Sequence, residues 1–190
     1  DAVGASEEER AAWVRTMWRF VFKGTLVGGM FNADPHPGNF IFGPDGTVYF
    51  LDFGCIQPLE PDRMRHARRM HWSAIQEDSN EFIAAVRDLM DLRGGHYEEQ
   101  ALGYVSKAFA PLFESPFHMS RDYVVGLVQG MKEIAVAARK AKGSDNFVPM
   151  PRGMFFMNRL QFGFYSVVAR MDVPVDYRKV ELEFLAPLMA

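Results

Sequence analysis

The chain has 190 residues, 48% of them hydrophobic, enough to bury one sizeable core, and reads as a single globular domain over residues 1–190. A formal net charge of −3 excludes a general attraction for nucleic acid, and the longest apolar stretch, near Gly163 to Ala169, ends at Gln161 and Arg170, too short to span a bilayer. The single cysteine, Cys55, cannot form an internal disulfide, which fits a reducing, intracellular compartment. The chain opens at Asp1 without a charged, apolar leader, so it reads as an excised piece of a longer protein.

The first predicted element is a helix from about Ser6 to Met30. Ser6 and Glu9 have capping-box spacing, and Trp13, Met17, Phe20, Val21 and Phe22 recur near helical period until Gly28-Gly29 ends the run. A phosphate loop at those glycines is disfavoured, because no strand precedes them and neither a Gly-Lys-Ser nor a Gly-x-Gly-x-x-Gly pattern is present.

The next stretch carries the chemistry. Asp34-Pro35 and His36-Pro37 place two extended pre-proline residues and two fixed φ angles within four positions, and Gly38 is free to turn sharply. Such a stiff loop suits a carboxylate that must be aimed. Asp34 and Asn39 stand five apart, the spacing of the kinase catalytic loop, where Asp orients or deprotonates an acceptor hydroxyl and Asn holds a metal. On the loop alone, an ordinary Pro/Gly-rich turn remains the alternative.

Phe40-Ile-Phe42 and Thr47-Val-Tyr-Phe-Leu51, joined by Gly43-Pro-Asp-Gly46, then read as a β-hairpin that delivers the chain to Asp52-Phe53-Gly54. A hairpin of that length returns the second Asp beside Asn39, and Mg²⁺ takes hard oxygen ligands of this kind together with phosphate oxygens.

Helices are predicted from about Pro61 to Gln76, Ser79 to Leu92, Tyr97 to Leu112, Arg121 to Lys142, Arg152 to Met171 and Asp176 to Leu188, with Pro174 splitting the last two. Breaks fall at Gly94-Gly95, Ser115-Pro116, Gly143-Ser-Asp-Asn146 and Pro149-Met-Pro151. Arg63, Arg65, Arg68 and Arg69, with His66 and His71, give one helix a basic side, read as a solvated face before any contact with phosphate, lipid headgroups or a partner. The stripe Met154, Phe155, Phe156, Met157, Leu160, Phe164 and Val167 reads as core before a lipid pocket or membrane seat. The histidines do not pair with Cys55 at zinc-like spacing.

Ala33-Asp-Pro-His-Pro-Gly-Asn39 followed by Leu51-Asp-Phe-Gly54 resembles the atypical kinases of the ABC1/ADCK/UbiB family, closely from Gly29 to about Leu59. The resemblance implies a mainly α fold with a small β-hairpin, the C-terminal lobe of a protein-kinase-like domain that is α+β when complete. It implies ATP and Mg²⁺ as cofactors and a role in the biosynthesis of ubiquinone or a related isoprenoid quinone lipid. By matching position, Asp34 is the catalytic aspartate, Asn39 and Asp52 are the metal ligands, and Pro35, Pro37, Gly38, Phe53 and Gly54 support the loops. His36 falls where many kinases place a phosphate-contacting lysine; the alternative is an imidazole that braces the loop.

Three departures qualify the resemblance. Asn32 stands where family members often have His. Only thirty-three residues precede Asp34, without the family's Lys-x-Gly-Gln or alanine-rich signatures, so a nucleotide-gripping small lobe is not contained in the chain. No Ala-Pro-Glu follows Asp-Phe-Gly, which disfavours ordinary protein phosphorylation. The alternatives are a small-molecule phosphotransferase of the aminoglycoside/choline kinase type and a non-catalytic pseudokinase module. Expected partners are a nucleotide and, through the parent protein, an isoprenoid lipid or a membrane surface.

Overall fold

The computed structural model describes residues 4–143 and 152–190, with backbone alone for 152–159. The expected loop at Pro149-Met-Pro151, part of that at Gly143 to Asn146, and the side chains of Met154, Phe155, Phe156 and Met157 lie outside the described residues.

Helix α1 spans Glu7–Leu26 and begins with the predicted capping box: the Ser6 hydroxyl accepts from the Glu9 N–H, and the Glu9 carboxylate accepts from the Ser6 N–H at 2.9 Å. It ends earlier than Met30, because Gly29 adopts φ +67 and turns the chain into strand β1, Met30–Asn32. The predicted hairpin forms from β2, Phe40–Phe42, and β3, Val48–Phe50, with Ile41 opposite Tyr49. Strand β4, Ile56–Pro58, returns antiparallel to β1, so the two short ribbons flank the Asp34 loop and the Asp52 turn. Neither β1 nor β4 is long enough to show alternation in sequence.

The rest is helical: α2, Pro61–Ile75; α3, Ser79–Met90; α4, Gly95–Ala108; α5, Ala110–Phe113; α6, Arg121–Ala141; α7, Arg152–Ala169; and α8, Tyr177–Met189. The helix predicted from Tyr97 to Leu112 is two elements, because the chain leaves helical geometry at Phe109 and Pro111 sits in the first turn of α5, where its missing N–H costs nothing. A two-residue strand β5, Phe117–His118, pairs with β6, Pro174–Val175, which is where Pro174 separates α7 from α8.

Trp18 of α1 is the hub of the core. Its ring lies 4.3 Å from both Phe22 and Tyr177, 5.7 Å from Tyr165 and 5.9 Å from Phe164, joining α1 to α7 and α8. Its indole N–H donates to Glu181 Oε1 at 2.9 Å, and the other carboxylate oxygen lies 2.7 Å from His71 Nδ1. Glu181 is wholly buried.

The basic side of α2 is therefore not a solvated face. His71 is buried on Glu181, Arg63 donates to the Leu89 carbonyl at 3.2 Å and Arg68 to the Leu26 carbonyl at 2.5 Å, while Arg69 binds Glu81 and Asp88 of α3. These cations are struts between elements; Arg65, whose partner among the described residues is Asp62 on its own helix, is the solvated one.

Candidate active site

The hairpin is set by the helix before it. Trp13 Nε1 donates to the Gly43 carbonyl at 2.7 Å and Thr16 Oγ1 to the Gly46 carbonyl at 2.8 Å, so both ends of the turn are tied to α1. Asp45 and Gly46 have φ 56 and 74, and a Cβ at Gly46 would meet the Ala12 methyl at 3.0 Å. Trp13 packs on Phe42 at 5.0 Å and Phe20 stacks on Phe50 at 3.7 Å, which fixes the face each strand turns toward the helix.

The Asp34 loop is braced from within and from behind. His36 N–H donates to the Asp34 carbonyl at 2.9 Å, Asn39 N–H to the His36 carbonyl at 2.9 Å, and Asn39 Nδ2 to the Asp34 carbonyl at 3.3 Å. His36 Nδ1 accepts from Gly38 N–H at 3.1 Å, so the bracing contact of the imidazole is formed even though the residue is exposed. Behind the loop, Pro35 is buried against Gly163 of α7: a Cβ at that glycine would lie 2.6 Å from Pro35 Cγ.

Two residues join this loop to the Asp-Phe-Gly turn. Leu51 N–H donates to the Asn39 carbonyl at 2.8 Å, continuing the hairpin ladder to its base. Asn32 accepts from the Asp34 N–H at 3.1 Å and donates through Nδ2 to the Asp52 carbonyl at 2.9 Å. Asp52 is held at φ 58, with Oδ1 accepting from Gly54 N–H at 2.9 Å. Asp34 and Asn39 are half-buried and Asp52 is exposed.

The oxygen chemistry suits a hard cation. Because Asn39 spends its amide N–H₂ on the Asp34 carbonyl, its Oδ1 is the end left to coordinate; Asp52 similarly keeps Oδ2 after bonding Gly54. Among the described residues no three His, Cys, Asp or Glu side chains gather into a metal-binding group, so protein atoms alone do not build a closed cage. An open set of few carboxylates completed by phosphate oxygens is the way Mg²⁺ is ordinarily held beside nucleotides. Phe20, Ile41, Tyr49, Leu51 and Phe53 are exposed, and the rings of Phe20 and Phe53 meet edge-on at 6.2 Å.

Four contributors are not legible in the sequence as parts of the site. Asn32 was visible only as a departure, although an Asn two residues before an N–H it can accept from is Asx-turn spacing. Gly163 carries no local signal, since its partner Pro35 lies on a different element. The same holds for the anchors Trp13 and Thr16, whose hydrogen bonds each span thirty residues.

Residues 1–86 match the family described as the ABC1 atypical kinase-like domain. Activity of BC1 complex kinase 3, a chloroplastic protein of Arabidopsis thaliana, is 38% identical over 68 residues, 36% of this chain and 9% of that protein. The uncharacterized protein slr1919 of Synechocystis is 34% identical over 67 residues, 35% of this chain and 11% of that one. Among solved structures, Rv3197 from Mycobacterium tuberculosis, in a complex with erythromycin, superposes with a TM-score of 0.64 at 16% identity, covering 96% of this chain and 45% of that one. The chain thus spans a minor part of the proteins it matches. Its first 86 residues carry the ABC1 resemblance read from the loop and hairpin, and its fold is that of a kinase-like lobe.

Proposed function

We propose that the chain is the C-terminal lobe of an atypical kinase or ATPase of the ABC1 type, in which Asp34 is the catalytic aspartate and Asn39 and Asp52 hold Mg²⁺ on the phosphates of ATP. The observation that supports this reading is the hydrogen-bonded linkage of the Asp34 loop to the Asp52 turn through Asn32, which ties together the main-chain segments that carry these side chains. Bound Mg²⁺ supplies charge neutralisation on the transferred phosphoryl group.

The protein's own part is positioning. The Asp34 carboxylate, stiffened by Pro35 and by the backbone bonds to its carbonyl, orients an acceptor hydroxyl or water and takes its proton as attack begins. Asn39 Oδ1 and Asp52 present hard oxygens from two sides of the hairpin base. His36, with Nδ1 engaged by Gly38, has Nε2 as its remaining ring nitrogen for a phosphate oxygen. The exposed Leu51 and Phe53 on either side of Asp52 are the residues on which a nucleotide-gripping lobe of the parent protein would close. A place in the biosynthesis of ubiquinone or a related isoprenoid quinone lipid, at a membrane surface reached through the parent, is supported by the family resemblance.

The test is thermal stabilisation of the full-length parent by Mg-ATP. Asp52→Asn is expected to abolish the Mg²⁺-dependent part of the shift. An unchanged shift in that variant would overturn the metal assignment, and unchanged turnover in Asp34→Asn would overturn the catalytic one.

A further inference from the structure

A cavity of about 280 Å³ lies within the helical layer, away from the hard oxygens of the site. Its walls are mostly apolar, with Phe22 and Leu26 from α1, Ala67 from α2, Val86 from α3, Ala108 from α4 and Phe164 from α7. Its mouth lies beside β4, where Pro58 and Glu60 are exposed. This size is near the lower end of small-molecule pockets, and mostly apolar walls with a few polar side chains are typical of them.

Of the polar side chains that line the cavity, Thr25 donates to the Val21 carbonyl, Arg63 to the Leu89 carbonyl, Tyr104 to Gln161 and Tyr165 to the Ala108 carbonyl, while Gln57 and Glu60 belong to the β4 side of the mouth. The buried imidazole that remains is His71, 7% exposed. Phe22 and Phe109 pack on its ring at 5.2 and 4.8 Å, and Glu181 takes its Nδ1 edge at 2.7 Å. Glu181 Oε1 already accepts from the Trp18 indole, which can only donate. With Oε2 also accepting, Nδ1 carries a proton and the free chemistry of the ring is confined to Nε2. Among the described residues Nε2 has no hydrogen-bond partner, and the ring lines the cavity.

We infer that this cavity binds a compact apolar alcohol, its hydrocarbon body against the α1, α3, α4 and α7 walls and its hydroxyl on His71 Nε2. A hydroxyl suits the position because it can donate to Nε2 of a neutral imidazole and accept from Nε2–H of an imidazolium. A carboxylate on Nε2 would bring a second negative charge beside the buried Glu181, with Arg63, the cation of the lining, already committed to the Leu89 carbonyl, and a pure hydrocarbon would leave Nε2 unsatisfied. The site is independent of the nucleotide chemistry proposed for Asp34 and Asp52, and either can fail without the other.

Calorimetric titration of the 190-residue chain with heptanol tests the assignment, with hexyl methyl ether, which has the same atoms but no O–H, as the control. Heptanol is expected to bind saturably at one site and the ether several-fold more weakly. His71→Asn keeps a donor for Glu181 and removes the nitrogen facing the cavity; it should weaken heptanol about fivefold, as loss of one net hydrogen bond of ~1 kcal/mol requires, and leave the ether unchanged. Ala108→Leu fills the chamber and should abolish both; if it does not fold, Ala67→Val on the opposite wall serves the same purpose. Absence of saturable heat, equal binding of alcohol and ether, or heptanol binding insensitive to the filling variant would each overturn the inference.

Discussion

Asn32 and Asp52 are joined by a 2.9 Å hydrogen bond from side-chain Nδ2 to main-chain carbonyl, while the other end of the same amide accepts from Asp34 N–H at 3.1 Å. One planar group thus sets the separation of the two acidic segments. Both a donor and an acceptor are required, which an amide supplies without any dependence on protonation.

Asn32→Ala should therefore cost about 1 kcal/mol of stability, as expected for partly exposed hydrogen bonds, and a larger factor, on the order of tenfold, in kcat/KM of the parent for Mg-ATP. Asn32→Asp retains the acceptor for Asp34 but loses the donor and sets a charge against the Asp52 carbonyl, so it should be no better than alanine. Urea melts and steady-state kinetics measure the two effects; an alanine variant with parental kcat/KM would show the brace to be dispensable.

Gly163→Ala should impair turnover without unfolding the lobe. The added methyl would sit 2.6 Å from Pro35 Cγ, within the neighbour of the catalytic aspartate, so the loop must move. Gly103→Ala, in α4 with nothing within 4 Å of its new methyl, is the control and should stabilise by roughly 0.5–1 kcal/mol. If both alanines behave alike in kinetics, α7 does not position the loop.

Glu181→Leu should destabilise the lobe by about 3 kcal/mol, because it leaves the Trp18 N–H and His71 Nδ1 buried without an acceptor. Glu181→Gln, which can still accept from Trp18, should lose less. Chemical denaturation of the three chains gives the order; a leucine variant as stable as the parent sequence would mean the pair is replaceable by packing alone.

Glu98 supplies a pH dependence. Burial raises its carboxyl, but the hydrogen bonds from Arg87 and Gly94 N–H and the Arg87 charge outweigh that and bring it below its ordinary 4.5. A carboxyl depressed in the folded state contributes stability above its unfolded value, and loses it as pH falls through the folded one. The stability gap between the parent sequence and Glu98→Gln should be constant near neutral pH and shrink below 4.5. A gap that does not change with pH would show the carboxylate's charge to be irrelevant.

The local features were legible in the sequence and the distant ones were not. Ser6 with Glu9, the Phe40 and Val48 runs, and Pro174 each announce themselves through neighbours, and the structure has a capped helix, a hairpin and a helix break at those positions. The Asp34 to Asn39 spacing gave the loop because five residues fit within one turn's reach. The basic side of α2 was misjudged for the opposite reason: charge counted along one helix does not reveal that Leu26, Glu81, Leu89 and Glu181 lie across from it. Gly163 under Pro35 is the extreme case, a contact without any periodic or compositional trace.

The clasp between α1 and α8 has a further consequence. Trp18 and Arg19 near the beginning are completed by Tyr177, Glu181 and Glu183 near the end. During synthesis the hairpin can dock on α1 as soon as both have emerged, but the indole at the hub must wait, partly bare, until α8 has followed them out of the ribosome. That interval exposes a sticky aromatic surface on the nascent chain, and the lobe's yield in a cell depends on how well it is shielded until then.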